Sequence, residues 1–594
     1  MYFLKLASIG LSITFLTFTV TASDWPPNKQ SDTYILRYDT IHHPVRAKTS
    51  MVVTQNKQAS EVGRDILARG GNAVDAAVAT GFALAVTLPR AGNLGGGGFM
   101  LAHIQTNKHL QTYTADKTKH KSSSSVMAID FRGEAPALAN QKFYTRKGKT
   151  DRIKTKTGHT ASTVPGTVAG LYEAHRRWGI LPWADVLAPA ITLADEGITV
   201  SHDLAWALNA KSIILSKNPE ACAIYFSNCS SFAEEGTLLK QPALANTLRL
   251  IANGGADTFY KGAIAKKIVE DMKNNGGLIR LSDLANYKAR VIDAISTDYR
   301  SYQIVSMPPP AGGLPLLQTL NIMEHFPFRK YGPGSAMATH VMAEAMKRSY
   351  SYRAKYLGDP RFQSVPVQKI LDKRLAASLA AEIDLTKATP VVEITPRLDI
   401  GFPDSPNTTH FSVIDKFGNA VATTYTLSAS FGSGVVIENT GILMNNQINN
   451  YSYNPEMNSN EYEKIPNSLQ PGKRPKSTQS PTLVFKNNDV FLVTGTPGGK
   501  RIITTVVQLI SNLVDHNLNI AEATILPRIH QDIRRDELEH EPGFNPDTLN
   551  ILNDMGHKLE LGASMGSTQS IHIIDKEITG FADPRRPNAK ALPL

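Results

Sequence analysis

The stretch PNTTHFSVIDKFGNAVATTYTL, residues 406–427, reads as a β-hairpin. Apolar and polar residues alternate from Thr408 through Phe411, Val413 and Ile414, the pattern of a half-buried strand. KFGN supplies a turn, and a second β-branched run follows. Upstream, PRLDIGFPDSPN is crowded with proline and aspartate, so a loop runs directly into a strand headed by two threonines. A strand two-thirds of the way along the chain thus looks like the start of a protein.

That placement has a chemical meaning. A threonine hydroxyl is a weak nucleophile unless a base adjoins it, and an N-terminal threonine carries one in its own α-amine. Such an amine has a pKa near ~8, whereas a peptide nitrogen has no basicity. Thr408 gains that amine only if the Asn407–Thr408 bond is cut. An ordinary strand threonine is the competing reading, and the hairpin pattern alone favours it.

The 594-residue chain is 42% hydrophobic and 19% charged, an ordinary globular composition. Its net charge of +11 is not accompanied by a lysine/arginine run interleaved with aromatics, so nucleic-acid binding is not expected. MYFLK and the apolar stretch ASIGLSITFLTFTVTA read as a secretory signal over residues 1–22, with Val20-x-Ala22 at the cleavage site. An uncleaved anchor helix is the alternative; DWPPNKQ, directly afterwards, lacks the basic flank it would have. The run VDAAVATGFALAVTL is too short to span a bilayer and contains Asp75. These features predict an exported protein, periplasmic or secreted, with no membrane span after signal removal. Cys222 and Cys229, the two cysteines, read as one local disulfide in an exported chain, with two buried thiols as the alternative.

Helix and strand signals alternate. GRDILARGGNAVDAAVATGFALAV reads as helical and interior in its later part, and GTVAGLYEAHRRWG, WADVLAPAITLADEG and ATHVMAEAMKRSYSYRAKYLG read as amphipathic helices. Strands cluster around FMLAHIQ and VMAIDF, and again from Thr408 through PTLVF, DVFLVTG and SIHIIDKE, which predicts sheets flanked by helices. Residues 106–125 read as a surface excursion and residues 451–475 as a lid or a disordered link, their position between strand segments favouring the lid. The sixteen histidines show no metal-ligand spacing. NLGGGGF lacks the Gly-Lys-Ser/Thr ending of a phosphate loop, so a closely packed backbone is its expected role. In VTGTPGGKR, Gly498 and Gly499 are placed to aim two N–H groups at one oxygen, as an oxyanion hole requires, though Pro-Gly-Gly is also a common turn.

The segment TTHFSVIDKFGNAVATTYTLSASFGSG with GILMNNQ resembles the small-subunit start of the γ-glutamyltranspeptidases, or glutathione hydrolases. GGNAVDAAVA, AGNLGGGGFML, AIDFRGEAPA, PGTVAGLYEA, SMPPPAGG, YLGDPRF, KRPKSTQSPT, GTPGGKRIITT and MGSTQS agree with that family in the same order, from about residue 45 to 585. The resemblance implies an N-terminal-nucleophile hydrolase: an α+β, four-layer αββα sandwich made as a precursor. It implies self-cleavage into a large subunit, residues 23–407, and a small subunit, residues 408–594, which remain together as a heterodimer.

Carried onto this sequence, the resemblance makes Thr408 the nucleophile, Gly498 and Gly499 the oxyanion donors, and Thr426 a threonine that hydrogen-bonds the nucleophilic end. Arg132 matches the arginine that binds the substrate α-carboxylate, a task suited to a guanidinium fork, assisted by the hydroxyls of Ser477 and Thr478. Gln447 matches a ligand of the α-amine. Ser428 and Asn450 depart from the pattern, standing where relatives have asparagine and, in many, a carboxylate; Glu438 and Glu456 are the candidates to compensate. No cofactor or metal is expected. The implied donors are glutathione and other γ-glutamyl compounds, with water, amino acids or peptides as acceptors. The rivals are a glutaryl-type (cephalosporin) acylase and an inactive periplasmic binding protein.

Overall fold

Every second residue of a strand points to the same face, and here that rule distributes side chains among four layers. The computed structural model describes residues 41–105, 126–395 and 407–594. The expected signal at 1–22, the stretch 106–125 and the loop at 396–406 lie outside the described residues. The principal strands are β1 (Val45–Ala47), β2 (Met51–Thr54), β3 (Gly97–His103), β4 (Val126–Phe131), β5 (Arg290–Asp293), β6 (Ile295–Tyr299) and β7 (Tyr302–Ser306). They continue with β8 (Asn407–Ile414), β9 (Ala420–Ser428), β10 (Thr482–Lys486), β11 (Asp489–Thr494), β12 (Gln569–Ile574), β13 (Glu577–Ala582) and β14 (Lys590–Pro593).

These form two seven-stranded sheets, ordered β5-β4-β3-β9-β8-β2-β14 and β1-β13-β12-β11-β10-β7-β6. Phe99, Leu101, Ala128 and Ala422 of the first sheet meet Val305, Leu483, Val493 and Ile571 of the second between the layers. The alternate residues Met100, Ala102, Ile129 and Val421 face helices on the first sheet's outer side. On the far side, Ile304, Val484 and Leu492 pack on helices Gly313–Met323, Ala336–Tyr356 and Ile502–Val514. Each buried Val, Leu, Ile, Met or Phe among these contributes roughly 1.5–3 kcal/mol. The result is the expected αββα sandwich.

Two expectations are refined. The long helical stretch is two helices, Lys57–Ala68 and Ala73–Thr87, parted at Gly70, whose φ of +95° suits glycine. Asn72 restarts the second with a capping box shared with Asp75, and all its residues are buried. Helix Ala336–Tyr356 is buried on all sides from Ala338 to Tyr350 rather than amphipathic. It tolerates this because Glu344 accepts hydrogen bonds from Lys347 (2.8 Å) and Arg348 (2.7 Å). Cys222 and Cys229 are bonded. No helix among the described residues is long and apolar enough to cross a membrane.

Both sheets mix strands from before and after the Asn407–Thr408 bond, and β8 lies inside the first sheet between β9 and β2.

Candidate active site

Thr408 is the second residue of β8 and only 6% exposed. Asn407 pairs with Ser428 but Thr409 pairs with Tyr425, so the register slips by one at Thr408. Such a bulge re-aims a side chain out of the ladder. Thr408 Oγ1 donates to Thr426 Oγ1 at 3.3 Å. Thr426 Oγ1 in turn donates to the Asn407 carbonyl at 2.7 Å and accepts from Ser428 N at 2.9 Å. One hydroxyl thereby touches both the Thr408 hydroxyl and the carbonyl that precedes Thr408. Ser428, beside it, holds φ at +82°, a backbone region that asparagine tolerates better than serine.

Strand β11 leads to the glycine pair. Ser412 Oγ donates to the Val493 carbonyl at 3.3 Å, and a Cβ on Gly495 would sit 2.5 Å from His410 Nδ1. Residue 412 of β8 therefore lies against 493, and residue 410 against 495. Continuing in opposite chain directions, Thr408 and the loop Thr496–Gly499 emerge at the same end of the sandwich. Gly498 and Gly499 have φ of +136° and +58°, which only glycine adopts without strain. Among the described residues, neither of their N–H groups donates to a backbone carbonyl. The turn is clamped from behind by Lys500 and Arg501 on Glu539 and by Tyr350 Oη on the Lys500 carbonyl at 2.6 Å.

His410 is the imidazole next to this arrangement, yet it is not placed as a base. It is fully buried, bonded to Thr424 Oγ1 (2.8 Å) and Ser412 Oγ (3.1 Å). Burial pushes its pKa down to about 3.

The donor-binding candidates join the threonines through a short chain of contacts. Gln447 Nε2 donates to the Thr426 carbonyl at 3.1 Å, and Gln447 Oε1 accepts from Gly133 N at 3.1 Å. Arg132, the preceding residue, donates through Nη2 to Asn450 Oδ1 at 2.9 Å. Asn467 connects the far wall, donating to the Asn450 carbonyl at 2.8 Å and accepting from Lys476 N at 2.7 Å. Ser477 and Thr478 follow at once, both buried, with Ser477 N donating to the Pro310 carbonyl at 2.8 Å. Glu438 and Glu456, the candidates to compensate for Asn450, are exposed. Glu134 and Asp130, though close in sequence to Arg132, are engaged by Arg474.

The segment 451–475 is packed rather than loose. Tyr451, Tyr453 and Tyr462 are buried with Ile448 and Leu469. Their hydroxyls donate to the carbonyls of Lys473 (2.5 Å), Ile448 (2.9 Å) and Ser452 (2.7 Å). The tyrosines act as internal anchors of the segment.

Two groupings were not legible in the sequence. Arg90, beside the glycine run, reaches Asn407, and nothing in its local pattern marks it. His340, Glu344 and His557 converge in the second helical layer, with His340 Nδ1 and His557 Nε2 2.8 Å apart. Glu344 is already neutralised by Lys347 and Arg348, and those cations oppose a metal ion there.

The glycine run is a packing device. A Cβ at Gly96 would lie 2.7 Å from the Thr426 carbonyl, and one at Gly97 2.7 Å from the Phe131 carbonyl. Its lack of side chains lets β9, and with it Thr426, lie close against β3.

Residues 59–592 match the model of the family described as Gamma-glutamyltranspeptidase. The chain is 45% identical to the glutathione hydrolase proenzyme of Escherichia coli (strain K12), covering 98% of each chain. Among solved structures it is similar to a cephalosporin acylase from Bacillus halodurans (TM-score 0.81, 28% identity, 96% of this chain and 99% of that one). It is also similar to the Helicobacter pylori γ-glutamyltranspeptidase (TM-score 0.54, 36% identity, 61% of this chain and 97% of that one). With a family model matching nearly its whole length and an αββα sandwich shared with solved relatives, the chain belongs to the γ-glutamyltranspeptidase family.

Proposed function

We propose that the protein is a self-cleaving γ-glutamyltranspeptidase that hydrolyses glutathione and related γ-glutamyl amides. It would also transfer the acyl group to amino acids or peptides. The observation that carries this reading is the single Thr426 hydroxyl bridging Thr408 Oγ1 and the Asn407 carbonyl. In the precursor, Thr408 Oγ attacks that carbonyl carbon, polarised by Thr426, and the chain shifts from amide to ester. Water opens the ester, leaving residues 408–594 with a free threonine amine and residues 23–407 as the partner chain. Because each sheet takes strands from both parts, the two chains stay together.

In the mature enzyme the Thr408 amine takes the proton as Oγ attacks the γ-carbonyl, since the neighbouring His410 is already bonded and deeply buried. The N–H groups of Gly498 and Gly499 receive the oxyanion, and the same amine returns its proton to the leaving amine. A γ-glutamyl ester on Thr408 results, resolved by water or by an acceptor amine. Arg132, with the hydroxyls of Ser477 and Thr478, holds the donor carboxylate; Gln447, Ser428 and Asn450 face its α-amine. Export to the periplasm or outside the cell fits the signal-like residues 1–22. A denaturing gel with N-terminal sequencing tests the reading: two bands are expected, the smaller beginning at Thr408, and a single uncleaved band overturns it.

A specific contact favours a second reading, a glutaryl-type acylase. Asn450 is neutral and directs its one acceptor oxygen at Arg132, which weakens its hold on a donor ammonium, and the similarity to a cephalosporin acylase points the same way.

A further inference from the structure

Arg474 takes no step in the chemistry above, yet it is fully buried and joins the two sides of the bond to be cut. It follows Thr408 in sequence, while its guanidinium is spent on residues that precede Thr408. Nε donates to Glu134 Oε1 at 2.9 Å, Nη1 to the Asp130 carbonyl at 2.7 Å, and Nη2 to the Lys288 carbonyl at 2.7 Å. Nη1 also lies 2.8 Å from Asp130 Oδ1, and Arg474 N donates to Asp359 Oδ2 at 2.9 Å.

These contacts close around the backbone of Arg132. The Asp130 Oδ1 that pairs with Arg474 also accepts from Arg132 N at 2.9 Å. On the other side, Tyr287 Oη donates to the Arg132 carbonyl at 2.9 Å, and the Arg474 guanidinium carbon sits 5.3 Å from the centre of the Tyr287 ring. The N–H and the carbonyl of Arg132 are thus each held by a side chain that packs on Arg474. Charge is balanced within the cluster. Arg290 lies 3.0 Å from Asp130 and 3.5 Å from Asp359, and Arg361 lies 2.7 Å from Asp359 and 3.1 Å from Glu134. Three guanidinium groups therefore face three carboxylates, the condition under which buried ions are tolerated. Ser477 comes three residues beyond Arg474, with Thr478 next.

A binding group is effective only when its own backbone and rotamer are fixed by the groups around it. We propose that Arg474 is a positioning residue for the donor carboxylate. It fixes the Arg132 backbone through Asp130 and Tyr287, and so sets the spacing between Arg132 on one side of the cleaved bond and Ser477 and Thr478 on the other. This rests on the reading of those three residues as the grip on that carboxylate.

The test uses the full chain after self-cleavage, with KM and kcat measured for a γ-glutamyl anilide. Tyr287→Phe removes one hydrogen bond to the Arg132 carbonyl and keeps the ring. It should raise KM about three- to tenfold, the scale of one such bond, and leave kcat within about twofold. Arg474→Gln should raise KM by more than about tenfold, and Arg474→Lys, which keeps the charge without the fork, should recover part of the loss. In an Arg132→Ala background, Tyr287→Phe should change kcat/KM by less than about twofold, because the group being positioned is gone. Losses that multiply in that double variant, or a fall in kcat at constant KM, overturn the proposal. So does a wild-type KM for Tyr287→Phe, a result that stands even if Arg474→Gln misfolds. An Arg132→Ala enzyme with the wild-type KM removes the reading of the grip itself, whereas a weakened Arg132→Ala enzyme beside unaffected Tyr287 and Arg474 variants removes only the positioning role.

Discussion

At the scale of single residues, the Thr426 hydroxyl has a double engagement. It accepts from Thr408 and donates to the Asn407 carbonyl, so removing it should impair the cleavage reaction at its electrophilic end. Thr426→Val keeps the shape and loses the donor; cleavage should slow by about 10²–10³, the effect of deleting one oxyanion donor, and Thr426→Ser should restore most of it. Quantifying precursor against time checks this, and a valine variant that matures normally would exclude the role. Arg132→Ala should behave in the opposite way, weakening γ-glutamyl donors at least tenfold, from roughly 1.5–3 kcal/mol of lost charged contact, while cleavage proceeds. Asn450 separates the two donor classes. Asn450→Asp would place a carboxylate beside Arg132 and the donor ammonium, and should raise the preference for γ-glutamyl over glutaryl anilides by about 10- to 150-fold. The comparison is kcat/KM for matched anilides; a wild type that already rejects the glutaryl compound a thousandfold would contradict this account.

At the scale of elements, most of what positions Thr408 was legible because strands declare themselves locally. The hairpin of residues 407–428, the strand PTLVF and the glycine turn each carried their own pattern, and the structure has them as β8, β9, β10 and the loop after β11. Contacts between distant segments carried no such signal. Arg90 meets Asn407 across 317 positions of sequence, and no periodicity records that. The packing inside segment 451–475 was hidden for a different reason. Its asparagines and prolines have loop composition, but three tyrosines turn inward and give their hydroxyls to the segment's own carbonyls and those of its flanks. Tyr462 Oη also accepts from Leu469 N at 2.7 Å, so Tyr462→Phe leaves a buried donor and acceptor without their partner, at a cost of about 1–3 kcal/mol each. We expect the segment to loosen before the sandwich does. Proteolysis within 451–475 should accelerate at a temperature where wild type is intact, and cleavage sites elsewhere would contradict the anchoring role.

At the scale of the whole molecule, burial of histidine decides how the protein meets acid. Burial holds His410 and His557 down to about 3 and His572 to about 4, and lowers His340 and His530 as well. An unfolded histidine titrates near ~6.5, so between that value and the folded one the unfolded chain binds protons that the native protein refuses. Stability is therefore fully present above about pH 6.5 and is lost as pH falls, by roughly 1.4 kcal/mol per pH unit for each such histidine. The depressed carboxyls of Glu344 and Glu539, both near about 2, act in the same direction but only below their unfolded value of 4.5. The first stretch of acid destabilisation thus belongs to the histidines. His572 isolates the effect, because its ring packs on Phe491 at 4.5 Å, away from the threonines. In His572→Gln the decline of unfolding free energy between pH 6.5 and 4.5 should be shallower by roughly 1.4 kcal/mol per pH unit, whatever the change in stability at pH 7.5. Activity should respond separately, falling as the Thr408 amine protonates around ~8, a region in which these histidines leave stability level. Denaturant melts at pH 7.5, 6.5, 5.5 and 4.5 for wild type and variant measure the first slope. Parallel curves for the two proteins would mean that His572 titrates normally and that its burial does not govern the acid limb.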